Sequence, residues 1–156
     1  MSVVINGTNG VTFNDGTIQA TKARVVQVVS AVNSTFVTTT SSSFVDTGLT
    51  LNITPTATSS KILIIISASI GNTSGGANTS AVIVRDSTEI ETFSRVAFNS
   101  SNHSDVQNSF VFLDTPSTTS ATTYKLQYKT DNGNARFNDN SVADPASTIT
   151  LMEVAG

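Results

Sequence analysis

The chain has 156 residues with 8 basic and 11 acidic side chains, for a formal net charge of −3, and only 12% of it is charged. Serine (22), threonine (25) and asparagine (14) supply 61 residues, cysteine and tryptophan are absent, and the one histidine is His103. This balance excludes disulfide scaffolds, thiolate metal sites, cysteine nucleophiles and a basic nucleic-acid stripe, and 38% apolar content excludes a chain too polar to fold.

Residues 1–23 form a turn-rich N-terminal segment. Asn6-Gly7, Asn9-Gly10 and Asp15-Gly16 tolerate the positive φ angles of tight turns. They separate Val3 and Ile5 from Val11 and Phe13, and these from Ile18. Very short strands joined by turns are expected there. Such strands cannot bury a core alone, so Val3, Ile5, Val11, Phe13 and Ile18 are candidates for docking or trimerisation contacts. The start, Met1-Ser2-Val3-Val4-Ile5, has neither a basic n-region nor an apolar h-region, so no secretory signal is expected. Lys22 and Arg24 read as a solvated linker, and no nucleic-acid partner is expected.

From 24 to 156 the pattern predicts a second unit made of strands. Val25–Ala31, Thr35–Thr39, Leu49–Ile53, Ile62–Ile70, Ser80–Arg85, Glu89–Phe93, Ser109–Leu113, Tyr124–Lys129, Ala135–Asn138 and Thr148–Val154 recur at spacings near ten residues. Between them lie turn formers such as Thr54-Pro55, Thr115-Pro116 and Asp144-Pro145. Regular short strands rich in β-branched residues, without a helical period, predict an antiparallel sandwich or barrel. Tyr124, Leu126 and Tyr128 alternate with Lys125, Gln127 and Lys129, giving one buried and one wet face. Asp131-Asn132-Gly133-Asn134 is expected to fold that strand back onto Ala135–Asn138 as a hairpin. Ile62–Ile66 and Phe110–Leu113 are apolar at every position. Their outer faces are expected to meet another subunit, with central strands touched by loops as the alternative. Five residues cannot cross a bilayer, so no membrane insertion is expected.

Several stretches resemble bacteriophage fibre proteins, especially those of marine phages. Val11-Thr12-Phe13-Asn14-Asp15-Gly16-Thr17-Ile18-Gln19 resembles a short motif that precedes the globular tip of such fibres. Asp46-Thr47-Gly48-Leu49-Thr50-Leu51-Asn52-Ile53-Thr54-Pro55, then Ser59-Ser60-Lys61-Ile62-Leu63-Ile64, and the ending Ser147-Thr148-Ile149-Thr150-Leu151-Met152-Glu153-Val154-Ala155 look like the tip domains. The resemblance implies a homotrimeric, jelly-roll-like β domain on the virion surface, made in the host cytoplasm. The segment 1–23 would attach it to other virion proteins of tail, fibre or capsid. Fibre domains of this kind usually end a long stalk, whereas this sequence begins at Met1 ten residues ahead of the motif, and no stalk is expected. A short fibre tip, a knob and a capsid decoration protein all stay open.

The chemistry-bearing residues point away from catalysis. His103 and Asp105 share one polar loop without a nucleophile elbow, so no catalytic site is expected. Asp131, Asp139, Asp144, Asn132, Asn138 and Asn140 are hard oxygen donors, but no calcium-loop spacing is present and turn chemistry accounts for them. No metal and no cofactor are expected. Gly71–Asn78 is glycine-rich but lacks the lysine and helix of a phosphate loop. Loops on a rigid β scaffold carry recognition, so Asn72, Ser74, Asn78, Asn102, His103, Asp131, Asn132 and Asn134 are the candidates for receptor contact, with a host-surface glycan or protein as partner. Phe93, Phe98, Tyr124 and Tyr128 read as core rather than as a glycan-stacking platform. Glu153, in an apolar strand, is expected to pair with Arg85, Arg95 or Arg136. The reading is a non-enzymatic fibre tip or knob mediating host attachment. A capsid decoration protein and a glycan-binding, lectin-like module are the alternatives.

Overall fold

The structure, a computed structural model, describes residues 24–98, 104–141 and 145–156 with their side chains, and three strands ahead of them. These are Val4–Asn6 (β1), Gly10–Thr12 (β2) and Ile18–Gln19 (β3), paired antiparallel in that order. Very short strands are what the sequence predicts here; the residues that connect them lie outside the described ones. Val3 and Phe13, and the side chains of Ile5, Val11 and Ile18, lie outside the described residues.

Ten strands follow: Val25–Asn33 (β4), Val37–Thr39 (β5), Val45–Ile53 (β6), Lys61–Asn72 (β7), Asn78–Arg85 (β8), Thr88–Phe98 (β9), Ser104–Asp114 (β10), Thr122–Thr130 (β11), Ala135–Phe137 (β12) and Ser147–Val154 (β13). Each expected strand has its counterpart. β10 starts five residues early because Ser104–Asn108 pair with β7 on a sheet edge where polar side chains can face water. One sheet runs β4-β13-β7-β10, continued at one end by β12 and β5; the other runs β6-β11-β8-β9. All pairings are antiparallel. Successive strands cross between the two sheets except at β4–β5, β8–β9 and β12–β13, and this strand order is that of a jelly roll, two Greek keys wrapped into a sandwich.

The strand order corrects one expectation. β11 and β12 are not a hairpin: β11 pairs with β6 and β8, and β12 with β5 and β7. Residues 131–134 therefore arch from one sheet to the other. Their turn chemistry dictates a reversal of direction, but not which strand the chain meets after it. Across the arch Tyr128 and Phe137 pack with ring centroids 6.3 Å apart.

The core lies between the sheets. Inward rows of the first sheet include Ile64 with Leu151 and Ile66 with Ile149; the second contributes Leu49, Ile83, Tyr124, Leu126 and Tyr128. Phe93 stacks on Phe110 at 4.6 Å. Alternation along β11 is strict, with 122, 124, 126, 128 and 130 buried, as the sequence predicts.

One seam needs polar stitching. β12 and β13 lie along one line against β7, interrupted by 138–146, and β5 and β4 are interrupted beside them at 34–36. Asn138 fills the gap with φ +54. Its backbone N–H donates to Ser69 O at 3.1 Å, and its Nδ2 to Asn33 O at 2.8 Å. Its Oδ1 accepts from Ser147 Oγ at 2.6 Å, and Ser147 Oγ accepts from Ser69 N. Buried backbone groups are thereby satisfied where the ladder breaks.

Candidate functional site

The two outer faces of the sandwich differ in kind. On the first sheet, three successive outward rows cross four strands: Val28–Met152–Leu63–Leu113, Ser30–Thr150–Ile65–Val111 and Val32–Thr148–Ser67–Ser109. Of these twelve positions seven are apolar, five carry hydroxyls and none is charged. Val28 is 53% exposed, Val111 59% and Leu113 49%. Val25, at 50% exposure, extends the face. Strand spacing and rise give it a plan area of about 400 Å², the size of the largest apolar patch on an ordinary monomer. The two faces of these strands differ in burial. Ile62, Ile64, Ile66 and Phe110 are enclosed within one chain, because the second sheet covers them. Leu63, Ile65, Val111 and Leu113 are the half that a single copy leaves in contact with water.

The outer face of the second sheet is wet. Lys125 reaches Asp46 at 2.8 Å and Gln127 donates to the same carboxylate at 2.7 Å. The Lys125 hydrogen bond is the main reason the Asp46 carboxyl is held below its ordinary range. Val82 and Val84 stand in the same outward rows as Gln127 and Lys125 and are buried, as expected where long polar side chains drape their stems over apolar neighbours. Beside them β6 bulges: Gly48, at φ +83, lies where Thr47 donates its hydroxyl to Leu126 O at 2.8 Å. A hollow of about 120 Å³ lined by Asp46, Gly48, Leu49, Thr50, Lys125 and Leu126 marks the bulge, well below the volume of a small-molecule pocket.

Buried carboxylates close the lower edge of the core. Asp114 accepts from Arg85 Nη1 at 2.8 and 2.9 Å and from the Tyr124 hydroxyl at 2.6 Å. Burial, and then the hydrogen bond to Asp114, push the Tyr124 phenol far above its ordinary value. Burial alone pushes Tyr128 up to about 12. Glu153 is fully buried on the Leu151 face, as alternation predicts, but it pairs with no arginine. It accepts from Gln27 Nε2 at 2.6 Å, Thr56 N at 2.7 Å and Thr56 Oγ1 at 2.6 Å. Burial opposes its charge, yet hydrogen bonds from Ser60, Thr56 and Gln27 outweigh that and hold the carboxyl at about 2. The arginines are used elsewhere: Arg85 on Asp114, Arg136 on Asp139 and over the Phe36 ring, Arg95 over the Phe98 ring.

The predicted receptor loops converge at one end. The connections 73–77 and 131–134 meet there, β9 ends at Phe98 opposite Asn78, and β10 begins at Ser104 opposite Asn72. Asn102 and His103 fall between those strands, outside the described residues. Asn72 was expected at the surface and is instead enclosed. Its Nδ2 donates to Thr130 Oγ1 at 2.9 Å and Thr79 Oγ1 at 3.0 Å, and its Oδ1 accepts from Ser74 N. Asn78 donates through N and Nδ2 to Asp131 at 2.7 and 2.5 Å, which lowers the Asp131 carboxyl. Asp131 and Asn132 are exposed, and Ser74, Asn78 and Asn134 half-buried.

The oxygen donors of the C-terminal window are not gathered. Asp131 serves Asn78, Asp139 serves Arg136, and Asn138 is spent in the seam; Asp144 lies outside the described residues. Among the described residues no group of three or more metal-ligating side chains forms. Tyr124 and Tyr128 are core, Phe93 packs against it, and Phe98 is 49% exposed. Among the described residues no helix is long and apolar enough to cross a membrane.

No family model and no curated protein matches the chain. Three solved structures of infectious bursal disease virus are similar in shape. The Gx strain structure aligns with a TM-score of 0.45 at 14% identity, over 91% of this chain and 43% of that one. The Gt strain structure gives 0.38 at 16%, over 98% and 48%, and the VP2 subviral particle 0.39 at 13%, over 99% and 46%. The chain spans less than half the length of each.

Proposed function

We propose that this chain is a non-enzymatic structural protein of a bacteriophage virion, a homotrimeric jelly-roll tip or knob at the particle surface that attaches to a host receptor. The observation that carries the reading is the run of three uncharged outward rows on β4-β13-β7-β10, between Lys61 at one end and Asp105 at the other, set against an ion-paired outer face on the other sheet. A solitary domain has no use for such an asymmetry, whereas copies around an axis cover one face and leave the other wet. The fibre-like sequence stretches supply the phage context. The engaged carboxylates and the small hollow favour binding over catalysis. The loop end, fixed by Asn72, would present the receptor-contacting residues, and three such ends on one particle add by effective concentration.

The test is attachment. Fluorescently labelled protein is expected to bind host cells and not unrelated bacteria. Binding to fibreless particles instead of cells would make it a capsid decoration protein, held through residues 1–23.

A further inference from the structure

We propose that Asn132 is a site of self-modification, at which the Gly133 backbone nitrogen closes on the Asn132 side chain and converts it to aspartate or isoaspartate. Three features of the arch set this up. The Gly133 N–H donates to Asn132 Oδ1 at 2.8 Å, so the nitrogen is held against the side-chain amide that it must attack. Gly133, at φ +72, has no side chain of its own, and Ser74 packs close against its α-carbon. The main chain on both sides is pinned: Asn132 N donates to Thr130 Oγ1 at 3.3 Å, and Asn132 O accepts from Asn72 Nδ2 at 3.3 Å and from the Thr130 hydroxyl. Meanwhile Asn132 is exposed, so water reaches the amide that must leave.

The chemistry needs only water. The Gly133 nitrogen gives up its proton to solvent and attacks Cγ of Asn132. The Cγ–Nδ2 bond breaks, ammonia departs, and a five-membered imide remains. Water then adds to one of the two imide carbonyls. Addition at Cγ restores a normal backbone with aspartate. Addition at the main-chain carbonyl routes the backbone through the side chain as isoaspartate. Either product adds a negative charge next to Asp131. Isoaspartate also lengthens the main chain by one carbon and pulls the Asn132 carbonyl away from Asn72 and Thr130, loosening the tie between 73–77 and 131–134. The inference is independent of which receptor the loops contact.

The full folded chain is aged in warm neutral buffer beside a free peptide spanning residues 128–137, and both are mapped by mass spectrometry with isoaspartate detection. The expected result is conversion at Asn132 in the folded chain no slower than in the peptide, faster at higher pH, with Asn78 and Asn134 unchanged. Asn132→Gln, which must form a larger and less favoured ring, is expected to abolish the mass gain at this position while circular dichroism stays that of the parent chain. Conversion slower in the folded chain than in the peptide would overturn the proposal, because the arch would then protect the amide instead of presenting it.

Discussion

At the residue scale the fold encloses three of its few carboxylates, Asp114, Asp139 and Glu153. Glu153 is the sharpest case, a carboxylate with no cation that is kept ionised by hydroxyl, amide and backbone donors. Its pKa near 2 lies below the ordinary 4.5, so the folded state favours the charged form. That stabilisation is complete above pH 4.5 and is lost as pH falls toward 2. Glu153→Gln places an amide against donors and leaves at least one unsatisfied, a cost of about 1–3 kcal/mol. In urea unfolding near pH 7 the variant is expected to show a lower midpoint at unchanged slope, and a flatter dependence on pH below 4.5 than the parent. An unchanged midpoint would show that Gln27, Thr56 and Ser60 find other partners. Alternation along β13 made the burial of Glu153 legible in the sequence. Its partners were not, because Thr56 and Ser60 sit in a distant loop whose position depends on the sandwich closing.

Asn72 teaches the same lesson from the other side. A glycine-rich loop reads as a mobile tip, yet its asparagine satisfies Thr79 and Thr130 inside the closed end. Asn72→Ala is expected to destabilise the domain by about 1–3 kcal/mol through unpaired buried groups, measured by chemical unfolding. A change within error would show that Thr79 and Thr130 find other partners when the amide is removed.

At the scale of elements, strands were readable and connections were not. Ten β-rich stretches between turn formers became ten strands, because period-two patterning and branched side chains act locally. The arch at 131–134 and the bulge at Gly48 depend on what the chain meets afterwards. Gly48 shows the cost of missing this. In the sequence it stands just ahead of the expected strand Leu49–Ile53; in the structure it lies inside β6, its φ of +83 is one that side chains rarely adopt, and a Cβ there would stand 3.1 Å from Asn33 Nδ2. Gly48→Ala is expected to lose about 1 kcal/mol, read as a drop in thermal midpoint with an unchanged far-UV spectrum. An equal or higher midpoint would mean that the bulge relaxes without strain.

At the scale of the whole molecule the central claim is that one side of the sandwich is built to be covered. Residue type alone marked Ile62–Ile66 and Phe110–Leu113 as too apolar for one wet face. Only the register shows that Met152 and Val28 extend Leu63 and Leu113 into a row across four strands. The face of about 400 Å² is roughly half of one partner's share in a standard interface, so flanking surface must join it when copies associate. Polar replacement at the exposed positions, Val28→Ser with Val111→Ser and Leu113→Ser, leaves the enclosed core untouched and is expected to yield a folded monomer. The most direct measurement is the molar mass of the full chain by light scattering after size exclusion at micromolar concentration. The account predicts about three times the 16.3 kDa chain mass for the parent and a single chain for the triple variant. A parent that elutes as a stable, soluble monomer would contradict it.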